Sequence, residues 1–495
     1  MSLTGRVRQG LLWNQLGRAL EYAAAYAASA VAARAFGPVT FGVWSVALSL
    51  VTLVTHAGAL GFNEVLAVGL PRLARVAGQI AFLLQRLLRL RVAIALALAA
   101  ALFLAAPAIA RAWRTPALAP VIRAAALYGF FYQVSLLLEY FFVGRLEVPR
   151  ATRVRVMVQF LHLAAAAATL RFHLPPRVLF LIMAGNSALG VAWLLATARG
   201  TLIQAPDRFP MLPVLQFGFA IWATNVVNFF VGRQADILLI GLFHPGTDAA
   251  GAYSAAALLA MLLAGALIMG AEGVSLAAFS EVEARADRGA LGALWALHVK
   301  MDVLLSMPLL VFGAAFAGEL VAHLYGAGYE RAALLLRAYA LIWIVARVLG
   351  GGTNIAVLYA MQSPRLPLAI LGACGAWNLI GDLILIPRFG AWGAVGATGL
   401  AMIGAGLASG LVIHRRTGAF FPLGFALKVL AACVPATLLA ARLPRPPGLL
   451  GLAVAGMIVA VVSLLGLRLL RPFGDDDRRV LVRLAPRLEW LITRL

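Results

Sequence analysis

"AFGPVTFGVWSVALSL", residues 35–50, is answered 207 to 209 positions later by "LFHPGTDAAGAYSAAALL", residues 242–259. With two inserted residues, Phe36, Pro38, Thr40, Gly42, Trp44 and Ser45 meet Phe243, Pro245, Thr247, Gly251, Tyr253 and Ser254. Repetition at that period marks two copies of one structural unit. A weaker echo sets "IRAAALY" from Ile122 against "LRAYALI" from Leu336, which places Arg123 opposite Arg337.

Composition says what the units are made for. The 495 residues are 63% hydrophobic and 12% charged, with mean hydropathy +0.94. A soluble globule would lack polar surface, so the chain reads as an integral membrane protein. Apolar runs long enough to cross a hydrocarbon core of about 30 Å recur along its length. They fall at 10–34, 41–68, 92–110, 118–144, 155–172, 178–198, 213–242, 251–276, 302–324, 333–359, 366–386, 391–413, 422–441 and 448–468. The fold class is therefore an all-α integral membrane protein of about fourteen transmembrane helices.

Counted over the connections, 26 Lys and Arg fall on the N-terminal side of the membrane and 9 on the other. Cytoplasmic loops carry the excess, so both termini are expected in the cytoplasm. Both repeats then begin with a span leaving the cytoplasm. They are parallel, related by an axis along the membrane normal, with a cleft between them. The expected domains are a six-helix lobe at 1–200, a second at 209–416, two further helices at 417–470 and a tail at 471–495. Leu481, Leu484, Leu488 and Leu491 recur there at helical spacing with arginines between, as in an interfacial amphipathic helix.

The formal net charge of +22 reads as topology signal and attraction to an anionic leaflet, not as nucleic-acid binding, for which no motif is present. Cys374 and Cys433 fall in spans and imply neither a disulfide framework nor a thiolate cluster. The seven histidines show no zinc-ligand spacing, so no metal or cofactor is expected. "GAGLASG" and "GAWGAVGAT" follow no strand, which leaves small-residue helix packing rather than a dinucleotide loop. The first apolar segment carries Arg18 and Glu21 and lacks a small-residue cleavage site, as expected of a retained span.

"ARAFGPVTFGVWSVALSLV" at 33–51, "DILLIGLF" followed by "GAYSAAALL" at 236–259, "LYGAGYERAALLLR" at 324–337 and "WNLIGDLILIPRFGAWGAVGAT" at 377–398 carry a resemblance. In this order and spacing they resemble the polysaccharide-biosynthesis or O-antigen flippases of the multidrug, oligosaccharidyl-lipid and polysaccharide exporter superfamily. The resemblance implies two six-helix lobes around a central cavity, in a bacterial cytoplasmic membrane. It also implies alternating-access transport of lipid-linked oligosaccharide from the inner to the outer leaflet, with no covalent chemistry. The coupling ion is left open between H+ and Na+, and a polysaccharide polymerase or other assembly proteins are admitted as partners besides membrane lipids.

Such cargo has a greasy tail, an anionic diphosphate and a polar glycan. Its head needs a wet, partly cationic cavity, so charges within spans are read first as cavity residues. Arg18 and Glu21, three apart in the first span, are either an intrahelical ion pair or a cavity site. Arg233 and Asp236 repeat that spacing in the seventh. Arg347 sits in the tenth span beside "LGGGTN", whose glycines permit a bend, and is the candidate diphosphate contact; the alternative is a salt bridge to Glu139 or Glu272.

Arg18, Glu21, Arg233 and Arg347 are thus the substrate-binding candidates. Asp236 and Glu272 are the ion-coupling ones: Asp236 opens "DILLIGLF" three residues from Arg233, and Glu272 has no basic neighbour within its helix, where a carboxylate that is not paired can carry a proton. Glu272 is set against a reading in which it reaches water at the cytoplasmic boundary. Asp382 is expected to anchor a helix end one turn from the interface, and Arg123 and Arg337 to snorkel to headgroups. A cation-coupled multidrug exporter and a lipid II flippase remain alternatives. A glycan polymerase or ligase is disfavoured by the short outer connections.

Overall fold

The computed structural model describes residues 3–70, 77–208, 210–265, 267, 272–285, 287–361, 365–475 and 477–479. Side chains are described from Gly17 onward, apart from scattered positions that include residues 272–277 and 365. Among the described residues there is no strand.

The helices are α1 (Leu3–Ala59), α2 (Ala77–Ala112), α3 (Leu118–Gly144), α4 (Val148–Phe172), α5 (Pro176–Leu202), α6 (Met211–Val231), α7 (Arg233–Phe243), α8 (Ala249–Gly265) and α9 (Glu272–Ala284). They continue with α10 (Arg288–Ala315), α11 (Ala317–Tyr325), α12 (Glu330–Val348), α13 (Gly351–Ala360), α14 (Arg365–Phe389), α15 (Ala391–Thr417), α16 (Leu423–Arg442) and α17 (Leu449–Leu470). Among the described residues, ten stretches are long and apolar enough to cross a membrane, and Ala249–Gly265 is a shorter apolar helix. Most expected spans fall on one helix or on a pair of consecutive helices; 41–68 instead runs from the second arm of α1 through Phe62–Glu64 into the π-helical turn Val65–Gly69. The amphipathic helix expected in the tail lies mostly outside the described residues.

Departures from the expected boundaries have local causes. The first two spans run together as α1, broken at Gly37 (φ 69, ψ 169) with Pro38 opening the second arm. A glycine at positive φ ends one helix, and a proline, whose missing N–H is not needed in a first turn, begins the next. α2 starts at Ala77 instead of 92, because "AGQIAFLLQRLLRLR" is amphipathic: Leu84, Leu87, Arg91 and Ala95 lie buried on one stripe.

The seventh span breaks at Gly232 and the tenth at Gly350, so that Arg233 and Gly351 each open a half helix. α14 does not stop at Pro387. It continues to Phe389, and the break before α15 is Gly390 alone, at φ 56. Asp382 therefore lies about two turns inside a helix rather than one turn from its end.

The chain divides into two compact units, Met1–Ser254 with Ile386–Ala391, and Ala255–Leu385 with Trp392–Leu495. In the first, Leu66, Leu83, Leu84, Leu87, Leu137 and Phe141 form the centre of a buried cluster. In the second, Trp295, Val299, Val303, Val357 and Val429 do so.

The first unit also buries a whole guanidinium. Arg91 has no exposed surface and donates to the Gly58 carbonyl at 2.6 Å and to Asn63 Oδ1 at 2.8 Å. It thereby satisfies the end of α1 and the short helical segment Phe62–Glu64 that follows. Arg91→Met would keep the stem volume and leave both acceptors unsatisfied, at about 1–3 kcal/mol each, partly offset by no longer burying a charge. We expect a net loss of about 2 kcal/mol, read as a lower thermal midpoint in detergent; an unchanged midpoint would remove this role.

Candidate functional site

Charges gather in the first unit where three helices meet. Glu21 of α1 pairs with Arg155 of α4 (Oε2 to Nε, 3.2 Å), and Glu139 of α3 stands 3.8 Å from the same nitrogen. Ser135, one turn before Glu139, donates to its Oε1 at 2.9 Å. The intrahelical pair considered for Arg18 and Glu21 is thus replaced by an interhelical one, because α4 starts seven residues earlier than expected and carries Arg155 into the bundle. Arg18 is exposed and lies within electrostatic reach of Glu21. One turn further along α1, Tyr26 is within electrostatic reach of Arg233.

Around Glu21 and Glu139 the group thus brings Arg18 and Arg155, with Arg233 within reach of Tyr26, and Tyr140 lies within electrostatic reach of Glu64, Arg18, Arg155 and Glu139. The side chains of Glu21 and Arg155 keep about a quarter of their surface. In a span, that exposure is tolerable where it faces water or cargo rather than lipid.

Asp236 lies deeper. It has no exposed surface, sits in the first turn of α7, where the helix dipole favours an acid, and accepts from the Tyr253 hydroxyl of α8. Beside it, Ser49 donates to Gln234 Oε1 at 2.7 Å.

The residues matched by the internal repetition also meet each other here. Ser45 Oγ donates to Ser254 Oγ at 3.1 Å. A Cβ on Gly42 would come 3.1 Å from the Gly251 nitrogen, and one on Gly251 only 1.9 Å from the Pro38 carbonyl. Equivalent residues touch one another only near a two-fold axis. The glycines are required by that close approach.

In the second unit, Arg347 ends α12 at the break. Its Nη2 donates to the Ala264 carbonyl at 3.0 Å, and its guanidinium stands over the Trp343 ring, 5.2 Å from the centroid. Asp302 of α10 lies within its electrostatic reach and accepts from Thr353 at 2.7 Å. Of the two carboxylates weighed as partners of Arg347, Glu139 is engaged by Arg155; Glu272 opens α9, and its side chain lies outside the described residues.

The break is pinned by Asn354, fully buried. It accepts from Trp295 Nε1 at 2.8 Å and donates toward Leu349 O, Gly406 O and Ser409 Oγ at 2.8, 3.2 and 2.9 Å. Gly350, at φ 87, leaves no room for a Cβ, which would stand 2.1 Å from Asn354 Oδ1. Asp382 is also fully buried, accepting from Asn378 at 3.0 Å, so it does not reach interface water as the sequence led us to expect.

A family model described as "Polysaccharide biosynthesis protein" matches residues 31–334, more than half of the chain. The chain belongs to the polysaccharide biosynthesis protein family. No curated protein sequence matches it.

Among solved structures, this family member is similar in fold to the lipid II flippase MurJ in an inward closed conformation (TM-score 0.73, 14% identity, 92% of this chain and 97% of that one). It is also similar to an inward-facing multidrug resistance MATE transporter of the MOP superfamily (TM-score 0.67, 13% identity, 80% and 94%). A third likeness is to a MOP superfamily transporter from Pyrococcus furiosus, described as having a binding pocket of reversed polarity (TM-score 0.51, 12% identity, 83% and 95%). The fold is the one these structures share.

For a polysaccharide biosynthesis protein, the residues that the sequence reading passed over are telling. Arg155 and Asp302 are each the first residue of an expected span, 155–172 and 302–324, where a charge passes for a boundary. Both lie inside helices that begin before their apolar stretch does, a start that amphipathic periodicity signals and hydropathy does not.

Proposed function

We propose that the protein is a flippase carrying polyprenyl-diphosphate-linked oligosaccharide from the inner to the outer leaflet of the cytoplasmic membrane by alternating access, for cell-surface polysaccharide synthesis. The observation that carries this reading is the placement of guanidinium groups within spans. Arg18 and Arg155 stand with Glu21 and Glu139, Arg233 is within reach of Tyr26, and Arg347 stands at a helix break. Guanidinium forks match phosphate oxygens, whereas a site for cationic drugs would be expected to present acids in their place. No residue is assigned a catalytic role.

Arg18, Glu21 and Arg233 are assigned to the head of the cargo, and Arg347 to its diphosphate. Asp236 is assigned to ion coupling as a fully buried carboxylate in a span with a phenol hydroxyl as donor, the kind of group that takes part in proton and ion relays. Glu272 keeps the same assignment from its place in the sequence. Both termini are assigned to the cytoplasm, a reading supported by the 26-to-9 distribution of Lys and Arg. A second reading, lipid II as the cargo, is favoured by the likeness to MurJ over 92% of the chain.

The experiment is native mass spectrometry of gently extracted protein. A retained polyprenyl diphosphate sugar supports the reading, and its glycan mass separates an oligosaccharide from lipid II. Bulk phospholipid alone, with binding of cationic dyes, would replace it by a multidrug exporter. For Arg347→Ala, loss of one charge-assisted contact is expected to slow export at least about 10-fold at unchanged expression. Full export by that variant would remove Arg347 from the diphosphate contact.

A further inference from the structure

The first unit holds an apolar groove that the transport reading does not use. It lies among α2, α3 and α5, with a volume of about 700 Å³, within the range of small-molecule sites. Leu96, Phe103 and Leu104 of α2, Leu127 and Phe131 of α3, and Leu181 of α5 line it. Leu104 keeps 76% of its surface and Leu96 59%, so the groove is open on its flank.

One end is cationic. Arg123 and Arg177 belong to the same lining, both exposed, and the Arg123 guanidinium stands 5.2 Å from the centroid of the Phe103 ring. α2 ends and α3 and α5 begin at that end, and a neighbouring hollow of about 730 Å³ is lined by Arg111 and Arg114. The three lining helices hold a single acidic residue, Glu139. It lies sixteen residues along α3 from Arg123, about 24 Å at the helical rise, and is engaged by Arg155.

We infer that this groove is a binding site for an anionic phospholipid, its acyl chain along the groove and its phosphate between Arg123 and Arg177. Charge complementarity selects the occupant. An aliphatic chain suffices for the apolar walls, but four guanidinium groups at one end call for an anionic head, and arginine forks fit phosphate oxygens. On the topology derived from the loop arginines this end faces outward, where anionic leaflet charge does not account for basic residues. The lipid is a resident of the lobe flank, distinct from the cargo.

The test is native mass spectrometry and thermal unfolding of the full-length protein, titrated with phosphatidylglycerol and, separately, phosphatidylcholine. Wild-type protein is expected to retain phosphatidylglycerol preferentially and to melt higher with it. R123Q/R177Q should weaken retention about 30-fold, two guanidinium contributions of roughly tenfold or less each. R199Q, which removes an arginine about 33 Å from Arg177 along α5 at the helical rise, should change nothing. Ala100 also lines the groove, and A100W should abolish retention with every arginine in place.

Equal retention of both lipids by the wild type, or undiminished phosphatidylglycerol in R123Q/R177Q, overturns the site. Retention by a folded A100W would reduce it to surface electrostatics and overturn the groove. A wild-type dimer that R123Q/R177Q or A100W dissociates would assign the face to a second copy instead. The outcome is independent of which cargo is carried, so its failure leaves the flippase reading standing.

Discussion

Arg155→Leu is expected to lower the stability of the protein by about 3 kcal/mol, and Glu139→Gln in the same chain to return most of it. Arg155 stands between two carboxylates from different helices, Glu21 at 3.2 Å and Glu139 at 3.8 Å. Removing it leaves two like charges facing each other in a span, and breaking a buried pair by deleting one partner costs far more than the pair contributes net. Glutamine at 139 removes one of the two charges and can still accept from Ser135. Glu21 keeps Arg18 within reach. Thermal midpoints of the wild type, single and double variants in one detergent decide it, and a double variant no more stable than Arg155→Leu would show that the repulsion is not the cause.

Asn354→Leu is expected to have an effect of similar size by another route. Trp295 Nε1 loses its acceptor and the carbonyls of Leu349 and Gly406 lose a donor, each at about 1–3 kcal/mol when buried. The sum is expected to reach about 3 kcal/mol after relaxation. Because the bonds fix the α12–α13 break, export should fall with stability, whereas Ser409→Ala, which removes a single partner, should leave export intact. A wild-type melting profile for Asn354→Leu would show that the break holds itself.

How much of this was legible depended on which physical signal wrote it. Span positions were legible because lipid demands runs of apolar residues, and the Gly350 break because three glycines stand in a row. Asp236 stood out as a charge in a span and proved to be buried with Tyr253 as donor. The partners of Glu21 were not legible. Its neighbour three residues before in α1 is Arg18, but the ion pair forms with a residue 134 positions away that stands at the very start of an expected span. Asp382 was misplaced because Pro387 was taken as a helix end. So near the C-terminus the proline forfeits one bond and the helix continues to Phe389.

Ser45 against Ser254 brings a repeat into contact with itself, and the positions around that contact show where the two copies have parted. Trp44 stacks on Phe41 and Phe180, while its equivalent, Tyr253, carries the hydroxyl that reaches Asp236. At the same offset of 207, Asp236 corresponds to Ser29. Acid and phenol therefore occur together in one copy and are both missing from the other. Parallel halves already share one direction across the membrane, so what the change removes is their equivalence. With an indole and a serine in one copy and a phenol and an aspartate in the other, the two copies cannot exchange roles.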